Sequence, residues 1–235
     1  MAAVRLAKNA ITDASPLPAR GWEDRSVQRV VEAGREQILE RSRKIVEAAY
    51  ALLDEGLEEL TIRAVLAKTG LSRRAFYDRF SGKDDLVVAV FEYTIRLAES
   101  HYREQTNLLD DPMERLHLII SWLVRGREAL EGHEQDSGSR RGAAMSREHL
   151  RLAESRPQEL RVALQPLITL IAEQLVDGMA VAAVRKGDPH RMASLVYNMV
   201  STTVHTELLS PEGLRTDRVQ LADEIWDFCR RAVVA

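Results

Sequence analysis

Apolar side chains recur along this chain at helical spacing and seldom alternate as a strand would require. From Arg43 onward, Ile45, Ala48, Ala49, Leu52 and Leu53 mark one helix face, until Gly56 supplies a stop. Upstream, Val27, Val30, Val31, Ile38 and Leu39 form a partial stripe weakened by Gly34, which allows an extra leading helix within 23–40. Residues 1–22 carry Pro16, Pro18 and Gly21 without a sustained period and read as a mobile arm.

Two short segments and a long one follow. Thr61 offers an N-cap for a helix through Ile62, Val65 and Leu66 that closes at Thr69-Gly70. Ser72 caps a third helix, Arg73 to Phe80, and Ser81 with Asp84 three positions on matches a capping box for a long fourth. That fourth helix carries Leu86, Val87, Val90, Phe91, Thr94, Ile95 and Leu97 on its buried side and frays towards Asn107.

Asp111-Pro112 and Asp188-Pro189 each predict a helix start, because Asp caps and Pro fits the first helical position. Between them the pattern predicts a helix through Met113, Leu116, Ile119, Ile120 and Leu123, then a polar glycine-containing loop from Glu131 to Gly142. Further helix follows to about Ala183. Pro157 should start one of these helices, and Pro166 should kink or break another. The last pair spans 189–209 and 217–234, split by Ser210-Pro211-Glu212-Gly213. The chain therefore reads as all-α, without an internal repeat.

Composition narrows the class. Only 5% of residues are aromatic against 45% apolar and 29% charged, the balance of a soluble helical protein. The single cysteine, Cys229, can form no internal disulfide, which fits a reducing, cytoplasmic setting. No apolar run approaches the roughly 20 residues that span a bilayer, and no signal peptide is expected. Net charge is -3, but it is unevenly spread: residues 41–83 hold nine Lys/Arg against six Asp/Glu. A small basic module sits on an acidic body.

The candidate chemistry lies in 61–79, two helices around a glycine-containing turn, which is the shape of a helix-turn-helix. Arg73 and Arg74 stand in the first turn of the third helix and Lys83 beside the start of the fourth, where the macrodipole disfavours cations by about 0.3–1 kcal/mol each. Their placement points to an anion or a base edge as partner. Arg73 and Arg74 would read guanine O6 and N7, and Ala75 would touch a thymine methyl. Tyr77, Arg79 and Lys83 would hold phosphates, with Thr61 on the opposite strand. Spacing alone does not separate this from cations that simply solvate a surface.

The same segment resembles the TetR family of regulators. The residues that carry the likeness are Ile45-Val46-Glu47-Ala48-Ala49, Leu52-Leu53, Glu55-Gly56, Leu60-Thr61-Ile62, Leu66-Ala67, Thr69-Gly70-Leu71-Ser72, Phe76-Tyr77, Phe80, Lys83 and Leu86. The match covers roughly 41–88. The resemblance implies phosphate contacts from Tyr77 and Lys83 and a recognition helix over Ser72–Tyr77. Where the family often has Gly-Thr this chain has Arg74-Ala75, and where it often has His this chain has Arg79, which leaves the operator sequence open.

The expected organisation is an arm and leading helix over 1–40, a three-helix DNA-binding domain over 41–86, and a helical effector-binding and dimerisation domain over 87–235. The resemblance further implies a homodimer through 189–209 and 217–234, double-stranded operator DNA as partner, and a small-molecule effector. Phe91, Trp122, Tyr197, Thr202 and His205 are candidate effector contacts because they add bulk or polarity to apolar helix faces. Each also fits an ordinary core position, and His205 equally fits pairing with Glu207 or facing solvent. No cofactor or metal is expected, since the six histidines show no H-E-x-x-H and no C-x-x-C exists. Gly138-Ser139-Arg140-Arg141-Gly142 is one place off a nucleophile elbow and no strand precedes it, so an enzyme is not expected. The alternative function is a DNA-binding protein of this fold with a nucleoid or protein-partner role.

Overall fold

The computed structural model describes residues 21–126, 137–210 and 217–235. Contacts divide the chain into two compact units, Met1–Arg41 and Ser42–Ala235. Helix α1 runs without interruption over Trp22–Leu52, so the leading stripe and the helix expected from Arg43 are one element. A lone glycine costs a helix about 1 kcal/mol, and Ala33, Arg35 and Glu36 around Gly34 are strong helix formers. In the first unit Val27, Val30, Val31, Ile38 and Leu39 are exposed. The arm, with Pro16 and Pro18, lies outside the described residues apart from its last two, Gly21 and Trp22.

In the second unit Ile45, Ala49 and Leu53 enter the core. Helix α2 (Ile62–Thr69) starts where Thr61 Oγ1 accepts the Ala64 N–H at 3.1 Å. It ends on Gly70, whose φ of +69° is the left-handed conformation glycine tolerates best. Helix α3 (Arg73–Tyr77) is capped by Ser72, which accepts the Ala75 N–H at 3.2 Å. It is shorter than its pattern suggests: the Arg79 N–H reaches back to the Phe76 carbonyl at 2.9 Å, tightening the chain into a turn. That turn lets Phe76 and Phe80 pack together, their rings 5.5 Å apart.

Helix α4 (Lys83–Thr106) begins differently from expectation. Gly82 occupies the cap and Ser81 does not form a box with Asp84. Instead Asp85 accepts the Ser81 N–H at 2.9 Å as well as its hydroxyl, and these bonds hold the Asp85 carboxyl below its usual range. Helices α5 (Pro112–Arg125), α8 (Pro189–Leu209) and α9 (Arg218–Val233) each start from an aspartate that accepts backbone N–H groups: Asp111, Asp188 and Asp217.

In the body one expectation fails, and of the two outcomes expected at Pro166 the break does not occur. Helix α6 covers Ser137–Ser155, so most of the expected 131–142 loop that is described is helical. Its polar, glycine-bearing start is carried by packing further along, where Ala144 and Leu152 are buried. Helix α7 (Pro157–Ala180) also continues through Pro166. The proline frees the carbonyl four residues back, at Val162, and that residue is exposed, so water can satisfy it. Of the split expected after 209, Ser210 caps α8, whereas Pro211, Glu212 and Gly213 lie outside the described residues.

Helix α7 is the hub, packing on α4, α5, α6 and α8, while α9 lies against α5 and α8. Among the described residues the only bridge pairs Val184 with Val234 and ties the end of α9 to the α7–α8 turn. There Gly178 has Val184 where a Cβ would stand, 2.5 Å from Cγ2, so no larger residue fits without displacement.

Candidate nucleic-acid interface and ligand cavity

The caps of α2 and α3 hold a small module whose apolar seam is Val65, Phe76 and Phe80. Opposite that seam, Arg73, Arg74, Tyr77 and Lys83 are exposed, as are Thr61 and Ser72, while Ala75 is half-buried. The side chains of Arg73, Arg74 and Lys83 make no hydrogen bond or ion pair with a described residue. Tyr77 presents its ring edge-on to Phe76 at 5.3 Å, which fixes its direction. The hydroxyls of Thr61 and Ser72 accept backbone N–H bonds but keep their own proton free to donate.

Arg79 is placed differently. Its guanidinium folds back to donate to the Ala75 carbonyl at 2.5 Å, and its Nε is buried without a partner. The side chain expected to hold a phosphate thus also braces the end of α3.

Between α4, α6 and α8 lies a cavity of about 550 Å³. Phe91, Ile95 and Ala98 of α4, Leu167 of α7, and Val200 and Val204 of α8 make it mainly apolar. Its polar wall comes from His101, Tyr102, Ser146, His149 and Tyr197, and its charges from Arg125, Arg141 and Arg218. Among the described residues no carboxylate lines it. His149 stacks with Tyr197 at 5.9 Å and meets Phe91 edge-on at 5.8 Å. Burial, reinforced by the nearby His205, pushes the His149 pKa below its ordinary value. Burial likewise drives the Tyr102 and Tyr197 hydroxyls up, so both stay protonated.

The five expected effector contacts separate. Phe91 and Tyr197 line the cavity. Trp122 stands behind the wall, 5.0 Å from the His101 ring and 5.3 Å from that of Tyr102. His205 touches it through Ser146, with Nδ1 and Oγ 2.6 Å apart. Thr202 faces away and is exposed. Arg141, Ser146 and His149 escaped sequence reading, although 141, 145 and 149 repeat at the i, i+4 spacing of one helix face.

Helix α6 grips the module at two points. Arg141 donates to the Tyr50 hydroxyl at 2.7 Å and pairs with Asp54, just past α1, while Arg151 pairs with Asp84 of α4 at 3.0 Å. Arg156 before α7 adds a third tie, to Asp85 at 2.7 Å. Cavity-lining Met145, Ser146 and His149 lie between these grips. Cys229 is buried in α9, its thiol pushed up to about 11 by desolvation, which leaves it a poor nucleophile. Among the described residues no cluster of His, Cys, Asp and Glu could hold a metal, and no helix is long and apolar enough to cross a membrane.

Residues 45–90 match the family model described as bacterial regulatory proteins, tetR family. No curated protein sequence matches the chain. Solved structures share the fold: a TetR-family regulator from Pectobacterium atrosepticum is 16% identical with a TM-score of 0.66, over 86% of this chain and 97% of that one. FadR from Bacillus subtilis, solved with stearoyl-CoA, is 18% identical with a TM-score of 0.61, over 80% and 96% of the two chains. AibR, solved with isovaleryl coenzyme A and operator DNA, is 18% identical with a TM-score of 0.52, over 80% and 97%.

Proposed function

We propose that this chain is a TetR-family transcriptional regulator, as the match of residues 45–90 to that family's model supports, and that it binds a palindromic operator as a homodimer in the cytoplasm and releases it when a small molecule fills the cavity. The observation that carries the DNA-binding part is the exposure of Arg73, Arg74 and Lys83 with no partner among the described residues. Cations left free on a short capped helix suit phosphates and base edges. Arg73 and Arg74 read bases, Ala75 packs on a thymine methyl, and Tyr77, Lys83, Ser72 and Thr61 hold the backbone.

The dimer reading is supported by apolar side chains left open on the last two helices. Leu195 of α8 is 62% exposed and Phe228 of α9 is 65% exposed. A two-fold pair places its recognition helices on half-sites about 34–36 Å apart. The effector acts through its difference in affinity between that spacing and another. Helix α6 is suited to couple the two, since it lines the cavity and holds both Asp54 and Asp84.

Selection of bound duplexes from a random pool tests this reading. A recovered two-fold palindrome, retaining a large preference over random duplex as salt rises, is the expected result. Recovery of no common sequence, with binding that fades uniformly in salt, would favour the nucleoid role.

A further inference from the structure

Arg141 is the odd charge of this molecule. It is nine-tenths buried in the cavity wall, its guanidinium carbon 4.0 Å above the Tyr50 ring, with one Nη on the Tyr50 hydroxyl and the other on Asp54. Its Nε is buried and has no partner, a deficit that ordinarily costs stability unless something else meets it. Its acid is the less committed member, since the Asp54 side chain is 40% exposed and that of Arg141 only 11%. Asp54 can turn to water at little cost; Arg141 cannot.

The remaining lining fits the same conclusion. Arg125 and Arg218 add positive charge, no carboxylate among the described residues lines the wall with them, and the rest of the wall is largely apolar or aromatic. A cation would be repelled, and a neutral oxygen would meet the guanidinium with one uncharged acceptor in place of a charge-assisted pair. A planar carboxylate matches the guanidinium fork in two parallel bonds.

We infer that the cavity takes an amphipathic carboxylic acid, whose carboxylate displaces Asp54 from Arg141 while its apolar body lies along Phe91, Ile95 and Val200. No covalent bond changes. The exchange releases Asp54, in the turn after α1, from α6 and leaves only Tyr50 in that grip, so the acid favours a module held less firmly in its DNA-binding setting. This last step rests on the regulator reading; the binding itself does not. By linkage, operator DNA weakens the acid's affinity by the factor by which the acid weakens DNA binding.

Calorimetry on the full chain without DNA tests the exchange, using decanoate, decanol and decylammonium below their micellar concentrations. Decanoate should bind about tenfold or more tighter than decanol, as a charge-assisted bidentate pair requires, and decylammonium weakest. Arg141→Gln should bring decanoate down to the level of decanol and leave decanol unchanged. Asp54→Asn should act in the opposite sense and tighten decanoate several-fold, because the competitor is gone, again with decanol unchanged. Equal binding of acid and alcohol, binding of none of the three, or an Asp54→Asn variant that gains nothing overturns the inference. The wild-type series and Asp54→Asn decide it even if Arg141→Gln does not fold. Failure here leaves the regulator reading intact, whereas a chain that binds decanoate but selects no duplex loses that reading and keeps this one.

Discussion

Arg74 and Arg141 carry the same guanidinium to opposite ends. Arg74 stands exposed on a five-residue helix without a described partner, while Arg141 is buried, stacked on Tyr50 and paired with Asp54. The first is open to solvent, where the proposed function gives it DNA as partner; the second is committed within the molecule and can be released only by something that replaces its acid. The DNA-facing module thus depends on local caps and a small seam, and the cavity on contacts between segments far apart in the chain.

The largest expected effect comes from breaking the seam that holds the free cations in place. Phe76 is fully buried, so Phe76→Ala should destabilise the protein by about 3–5 kcal/mol, read from urea denaturation. An unchanged midpoint would mean the module is not built around that ring. Removing one free cation without disturbing the seam is a smaller change. Arg74→Ala should cost about 1–3 kcal/mol of duplex affinity at one base position, measured against single-base variants of the selected palindrome, and should leave thermal stability unchanged.

Arg79 sharpens the contrast from within the module. Because its guanidinium is spent on the Ala75 carbonyl, Arg79→Ala should lower folding stability by about 0.5–1.5 kcal/mol and alter duplex affinity less than Arg74→Ala does. The reverse order would return Arg79 to the phosphate-binding set.

The smallest effect belongs to the cavity. The folded pKa of His149 is depressed, so above its unfolded value near 6.5 both states are neutral and it contributes no pH dependence. As pH falls below that value the unfolded chain takes up the proton first, and stability declines until the folded value is passed. His149→Phe should flatten that decline in denaturation midpoints between about pH 7 and pH 5. An identical profile in the variant would place the titration elsewhere.

The same division governs what could be read from the sequence. Thr61, Gly70 and Ser72 announce the ends of α2 and α3 because a cap is made with atoms two to four residues away. The Asp-Pro starts at 111 and 188 were legible for the same reason. Arg141 was not, since its meaning depends on Tyr50, 91 positions distant, and its helix begins in a polar stretch that reads locally as loop. Pro166 shows a local rule overruled by position: the carbonyl it frees sits on an exposed part of α7. Thr202 and Tyr197 lie on one helix and looked alike in sequence, yet one faces solvent and the other the cavity, a distinction set by how α8 is rotated against α6 and α7.

The most direct test of the account concerns Arg73, Arg74 and Lys83. Fluorescence anisotropy with the selected palindrome and a scrambled duplex, titrated from about 50 to 200 mM salt, compares the wild type with Arg73→Ala/Arg74→Ala/Lys83→Ala. The account predicts that the triple variant loses its preference for the palindrome and shows a salt dependence shallower by about one unit for each phosphate contact removed. A triple variant that keeps both the wild-type slope and the wild-type preference would contradict it.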